Sequence, residues 1–151
     1  MAIAMSELCI HLMTKVKVVD RVDALERVWS IDNWTRNLHR VLKVETITST
    51  EKQHHFQLFF DAGGAVPDRI EVERIRIDNS ILVKHISPPP GIKSLSAVWW
   101  YEAEIQEYVF ARRTLFIDSK EFSREKVRHM FGLLRENFLT LVNGDSRIAI
   151  S

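Results

Sequence analysis

Apolar residues recur along the chain with two different periods, and the change from one to the other separates a long strand-forming stretch from a terminal helix. Between Glu121 and Asn143, the residues Val127, Phe131, Leu134, Phe138 and Leu141 follow at four, three, four and three positions. That spacing lines them along one side of a helix. Ser123 stands where an N-cap belongs, and Gly144 stands where a C′ glycine turns the chain left-handed. Two phenylalanines on one stripe need a broad apolar partner, which the strands upstream can supply.

Those strands show a period of two. Leu8, Ile10, Leu12, Thr14, Val16 and Val18 alternate with Cys9, His11, Met13, Lys15 and Lys17, a first strand whose valine end faces inward. Asp20 then caps a short helix carrying Val22, Leu25, Val28 and Trp29 on one side, and Asp32 or Asn33 starts a second one with Trp34 and Leu38. These helices would lie like a lid at one end of a curved sheet. Strands are expected over Val41–Thr48, His55–Asp61, Arg69–Ile77 and Ile81–Ser87, each followed by turn chemistry: Ser49 to Glu51, Gly63-Gly64, Asp78-Asn79 and Pro88 to Gly91. Asp78-Asn79 reads as a two-residue hairpin. Leu95, Ala97, Trp99, Tyr101 and Ala103 form the apolar set of a further strand, opposite a set ending in Glu102 and Glu104, so Trp99 and Tyr101 should point inward. A turn near Gln106 leads into Tyr108–Asp118, where Arg112-Arg113 leaves the buried face open. The expected fold is α+β: a curved antiparallel sheet of about seven strands wrapped around a long C-terminal helix, with two short helices after strand 1.

Composition narrows this picture little. A chain of 151 residues suffices for one domain, taken as residues 1–151, with a core needing no staples. Twenty-one Lys and Arg against twenty Asp and Glu leave a formal charge of +1, so no strong field recruits nucleic acid or anionic lipid. A lone Cys9 excludes an internal disulfide and fits a reducing cytoplasm. The apolar start Met1–Met5 is too short for a signal sequence, and no run approaches the ~18 apolar residues of a membrane span.

Two features depart from a plain core. On Arg69–Ile77, Ile70 and Val72 share a face that strict alternation extends to Arg74 and Arg76, with Ile75 and Ile77 opposite. Either a bulge near Glu73 shifts the register, or an arginine points into the concave side. An inward arginine would offer five fixed donors to carbonyl or enolate oxygens. The second feature is aromatic density: Trp34, Trp99, Tyr101, Phe131 and Phe138 can converge between helix and sheet, as core filler or as ligand walls. Other constellations carry less. His54-His55 is read as an exposed strand start, since neighbours on a strand point to opposite faces and cannot share an ion. His39 and His129 have no companion at ligand spacing, and phosphate-binding glycine loops are absent. Arg112-Arg113 and the basic face Arg124, Lys126, Arg128 are read as solvated charge.

The order of elements, with Val28-Trp29-Ser30-Ile31-Asp32-Asn33-Trp34, Val98-Trp99-Trp100-Tyr101 and Arg135-Glu136-Asn137, resembles the START-like helix-grip superfamily, and within it the single-domain polyketide aromatase/cyclases. The resemblance runs from about Ser6 to Val142. It implies a poly-β-ketone tethered to an acyl carrier protein, folded in an internal cavity and closed by aldol condensation and dehydration, with no cofactor or metal. It matches the family's pocket arginine to Arg74, and Tyr101 or His85 would exchange protons. The substrate-binding positions it implies are Trp34 and Leu38 in the lid, Val72, Lys84 and Trp99 in the sheet, and Phe131, Leu134, Asn137 and Phe138 in the helix. Lys84 and His85 are alternative matches for a second basic position. The chain departs from the family where a tyrosine becomes Val41, a serine two residues before the pocket arginine becomes Val72, and an aromatic near Ile70 is lost. The rival expectation is a non-catalytic carrier of a lipid, quinone or polyketide product; a homodimer is compatible with either. Arg74→Ala is expected to abolish regiospecific cyclisation and spare the fold.

Overall fold

The computed structural model describes residues 7–38, 40–61, 68–88, 92–118, 120 and 123–143. His39, the Gly63-Gly64 turn, most of the Pro88–Gly91 loop and Gly144 lie outside these residues. The elements in order are β1 (Glu7–Lys17), α1 (Arg21–Trp29), α2 (Ile31–Asn37), β2 (Val41–Ser49), β3 (Gln53–Phe60), β4 (Asp68–Ile77), β5 (Ser80–His85), β6 (Ile92–Trp100), β7 (Tyr108–Asp118) and α3 (Arg124–Asn143). The seven strands form one antiparallel sheet in the order β1-β7-β6-β5-β4-β3-β2. The expected architecture is therefore present. Among the described residues no helix is long and apolar enough to cross a membrane.

Alternation decides what the sheet buries. Phe56 and Leu58 on β3, Val72 on β4, Ile81 and Val83 on β5, and Ala97 and Trp99 on β6 share the inner face and join one core with α1 and the end of α3. Ile75, Ile77, Leu82 and Val98 fall on the outer face and stay exposed. β4 pairs with β3 and β5 without a register shift, so no bulge rescues Arg74 from the inner face. The irregularities lie in β2 instead, at Val41/Lys43 and Thr46/Thr48. Asp78 adopts φ 51 in the β4–β5 hairpin, the left-handed turn that an Asx residue tolerates. Along β7 the inward set is Val109, Ala111, Arg113, Leu115 and Ile117, which assigns Arg113 to the interior and Arg112 to solvent.

Asp20 caps α1 as expected: its Oδ1 accepts from the backbone N–H groups of Val22 (3.0 Å) and Asp23 (3.1 Å). Asp20→Ala should cost about 1 kcal/mol. Thermal unfolding followed by circular dichroism should then show a midpoint lower by roughly 3 °C. α2 starts ahead of Asp32 and Asn33, with Ser30 in the cap geometry. Asn33 is turned inward instead, where its Nδ2 donates to the carbonyls of Arg27 (2.7 Å) and Leu141 (3.0 Å). Arg27 Nε donates to the Val142 carbonyl (2.8 Å). These bonds satisfy carbonyls that the end of α3 cannot pair internally. Phe138, Leu141 and Val142 are consequently buried, whereas Val127, Phe131 and Leu134 on the same stripe are only half-buried. The C-terminal half of α3 is clamped to α1 and α2, and its N-terminal half stands more open.

Candidate functional site

Arg74 is fully buried at the α1–α2 junction. Its Nη1 donates to the Val28 carbonyl (2.8 Å), and its Nη2 donates to the Trp29 carbonyl (2.6 Å) and to His54 Nδ1 (2.8 Å). The guanidinium also lies against the rings of Trp29, Trp34 and Phe56 at 4.8, 5.2 and 5.1 Å. Of its three nitrogens, Nε is buried with no partner among the described residues. α1 ends here because the chain turns at Ser30, which frees the last carbonyls to accept from a side chain. The Val28 carbonyl accepts a second bond from Trp34 Nε1 (3.0 Å). Burial lowers the Arg74 pKa to about 9, which leaves the group charged at neutral pH.

His54 is the partner that sequence reasoning missed. It is buried, not exposed, because β3 begins at Gln53 and places it in phase with Phe56 and Leu58. Its ring stacks on Trp29 at 3.8 Å between centroids. Burial, and then the Arg74 charge, push its pKa down to about 4, so the ring is neutral and its Nδ1 can accept from Arg74. His55 faces the other way and pairs with Glu71 at 2.8 Å. A shallow cleft of about 270 Å³ opens at the outer side of this junction, lined by Trp29, Ser30, Asp32, Thr46, Ser49 and His54.

A second polar group lies further along the inner face. Val83, Ala97 and Arg113 form one cross-strand row through β5, β6 and β7. Arg113 is buried and among the described residues makes one side-chain bond, from Nη2 to the Leu134 carbonyl at 3.3 Å, with its guanidinium 5.7 Å from the centre of the Trp99 ring. Trp99 touches Trp34 (5.9 Å) and Phe138 (5.8 Å), and its indole Nε1 is buried without a partner. His85 Nδ1 is likewise buried and unpaired. Burial, with the Arg113 charge second, lowers the His85 pKa to about 4. Among the described residues neither Arg74 nor Arg113 has a carboxylate partner.

The remaining sequence-derived positions divide. Val72, Trp34, Leu38, Trp99 and Phe138 belong to the same core, and Phe131 and Leu134 are half-buried on α3. Lys84 is turned to solvent, since it alternates with inward Val83 and His85. Asn137 is also exposed. It precedes Phe138 by one residue, about 100° around the helix from the buried stripe. Tyr101 lies past the end of β6, half-buried, with Arg21 over its ring at 4.9 Å and Asn79 donating to its carbonyl. Arg74 and His85 are diagonal neighbours across β4 and β5, yet Arg74 bonds to His54 and His85 Nδ1 stays unpaired.

With this geometry in place, solved structures supply a context. The chain superposes on the di-domain aromatase/cyclase BexL of the BE-7585A biosynthetic pathway with TM-score 0.76 and 15% identity over 89% of this chain and 49% of that one. It matches StfQ of the steffimycin pathway, also di-domain, with TM-score 0.78 and 15% identity over 94% and 53%. It matches the Zhui aromatase/cyclase of Streptomyces sp. R1128 with TM-score 0.65 and 13% identity over 96% of both. The chain thus spans about half the length of the two di-domain proteins. No protein-family model matches the sequence, and no curated protein matches it by sequence.

Proposed function

We propose, from the premise that this chain has the START-like helix-grip fold shared with the polyketide aromatase/cyclases, that it folds a ketone-rich chain between α3 and the sheet and promotes its aldol cyclisation and dehydration. The observation that carries this reading is a buried donor with no protein acceptor, Trp99 Nε1, beside Arg113, which is held by a single long bond, both set among flat aromatic rings. Buried polar groups left unpaired cost free energy, and ligand oxygens would remove that cost.

The chemistry suits these groups. A methylene between two carbonyls is already acidic, so a weak base and oxyanion stabilisation suffice for enolisation. A proton passes from that methylene to the neutral His85 ring. The enolate carbon then bonds to a second carbonyl carbon, and the new alkoxide takes the proton back. The hydroxyl then leaves as water together with an α-proton, which installs a double bond in the ring already closed. Positioning supplies the rest of the rate, with Trp34, Trp99 and Phe138 as walls that hold one carbon against one carbonyl. The substrate would arrive on an acyl carrier protein.

One set of observations favours a second reading, a carrier that binds a hydrophobic product without turnover. Val41 and Val72 are apolar where the resembling enzymes carry hydroxyls, and both terminal nitrogens of Arg74 are already engaged. Incubation with a carrier-protein-bound poly-β-ketone, followed by chromatographic profiling, separates the two. The cyclase reading expects one ring-closure product enriched over the spontaneous mixture. An unchanged mixture alongside tight product binding would establish the carrier.

A further inference from the structure

The two inner guanidiniums are held very differently. Arg74 makes three side-chain bonds of 2.6 to 2.8 Å and packs against three rings. Among the described residues Arg113 makes one bond, at 3.3 Å, and meets one ring. A guanidinium has five N–H donors, so Arg113 keeps most of them free. The two other unpaired inner-face atoms of this wall, Trp99 Nε1 and His85 Nδ1, flank it on β6 and β5. Between them lie Ala97, opposite Arg113, and Ala111, opposite Trp99. Both alanines are small and buried. The half-buried Phe131 and Leu134 stand on the open half of α3, whose Leu134 carbonyl is the atom Arg113 reaches.

We propose that Arg113 and the Trp99 indole N–H form the oxyanion-binding pair of this protein, taking the enolate oxygen of a flat β-dicarbonyl, while Arg74 is a structural staple of the lid. This rests on the cyclase reading for its substrate class but assigns the charge-binding role to a different arginine from the one the family resemblance selects. Two donors brought to one oxygen would favour the enolate over the ketone, because a charged acceptor strengthens each bond. Engaged donors on Arg74 would have to leave the Val28 and Trp29 carbonyls to do the same work.

The test uses the full chain and a free enolisable diketone, 1-(2-naphthyl)-1,3-butanedione, whose enolate absorbs at longer wavelength than its enol. Titration should show tight binding and a lowered pKa for the bound diketone. Arg113→Gln should weaken binding of the enolate form roughly tenfold or more and abolish the pKa shift, and Arg113→Lys should restore part of it. Trp99→Phe keeps the ring, removes the N–H, and should cost a smaller factor in the same direction. Arg74→Lys should lower the thermal midpoint and leave the bound enolate spectrum of the folded protein unchanged. Equal enolate affinity in Arg113→Gln and wild type, loss of the enolate band in Arg74→Lys alone, or no diketone binding by wild type would each overturn the assignment. Arg113-dependent diketone binding in a protein that leaves the carrier-bound product mixture unchanged would refute the cyclase reading and retain this subsite.

Discussion

Arg74→Ala is expected to lower the unfolding free energy by about 4 kcal/mol, a large share of the 5–15 kcal/mol typical of a domain. Truncation leaves the Trp29 carbonyl and His54 Nδ1 without their donor in a buried site, and the Val28 carbonyl with Trp34 Nε1 alone. Each orphaned group costs about 1–3 kcal/mol. The void left among Trp29, Trp34 and Phe56 adds a cavity term. Relief from burying a charge with no carboxylate opposes these losses and keeps the total below their sum. This revises the expectation that the substitution would spare the fold, because the guanidinium forms the joint between α1, α2 and the sheet. Urea unfolding followed by tryptophan fluorescence reads the effect. A midpoint within error of wild type would mean that these bonds contribute nothing net.

Acid should destabilise the protein through the two neutral histidines. His54 and His85 both have folded-state pKa values near 4, against 6.5 for an unperturbed ring. Between those limits the unfolded chain binds more protons than the folded one, so stability rises with pH. The contribution is complete above pH 6.5 and disappears as pH falls towards 4. At pH 5 each ring accounts for about 2 kcal/mol, so the unfolding free energy should drop by about 4 kcal/mol relative to pH 7.5. Urea titrations at the two pH values measure this. Asn or Gln at position 54 or 85 should remove about half of the difference, and a flat profile in wild type would contradict the burial of these rings.

The parts of the molecule that local chemistry controls were legible in the sequence. The Asp20 cap, the Asp78-Asn79 hairpin and the strand alternation through Trp99 depend on neighbours a few residues apart. The inward arginine was visible only as one of two options, because a bulge and an unbroken register predict the same residues up to Glu73. Only the pairing of β4 with both neighbours decides between them. Arg113 was illegible for a related reason. Tyr108, Phe110 and Phe116 on one face of β7 are as apolar as Val109, Ala111, Leu115 and Ile117 on the other, so pattern alone cannot choose a side. His54 was misplaced because the strand was started two residues late. In phase with Phe56 and Leu58 it belongs to the inner face, and that period-two match was the available signal. Lys84 and Asn137 entered through a resemblance in linear order. Their neighbours Val83 and Phe138 own the buried faces, and linear order cannot say which way a side chain turns.

The sheet order has a kinetic consequence. β2 through β6 form a run of adjacent antiparallel strands that are consecutive in the sequence, so their contacts are local. β1 instead pairs with β7 along its whole length, and His11 meets Thr114 across 103 residues of sequence. Closing so long a loop precedes any reward from the ladder, which slows folding. During synthesis β1 must therefore wait, with its edge unpaired, until β7 has left the ribosome. Refolding from urea should be limited by that long-distance zippering, and a circular permutant joining β7 directly to β1 would fold faster.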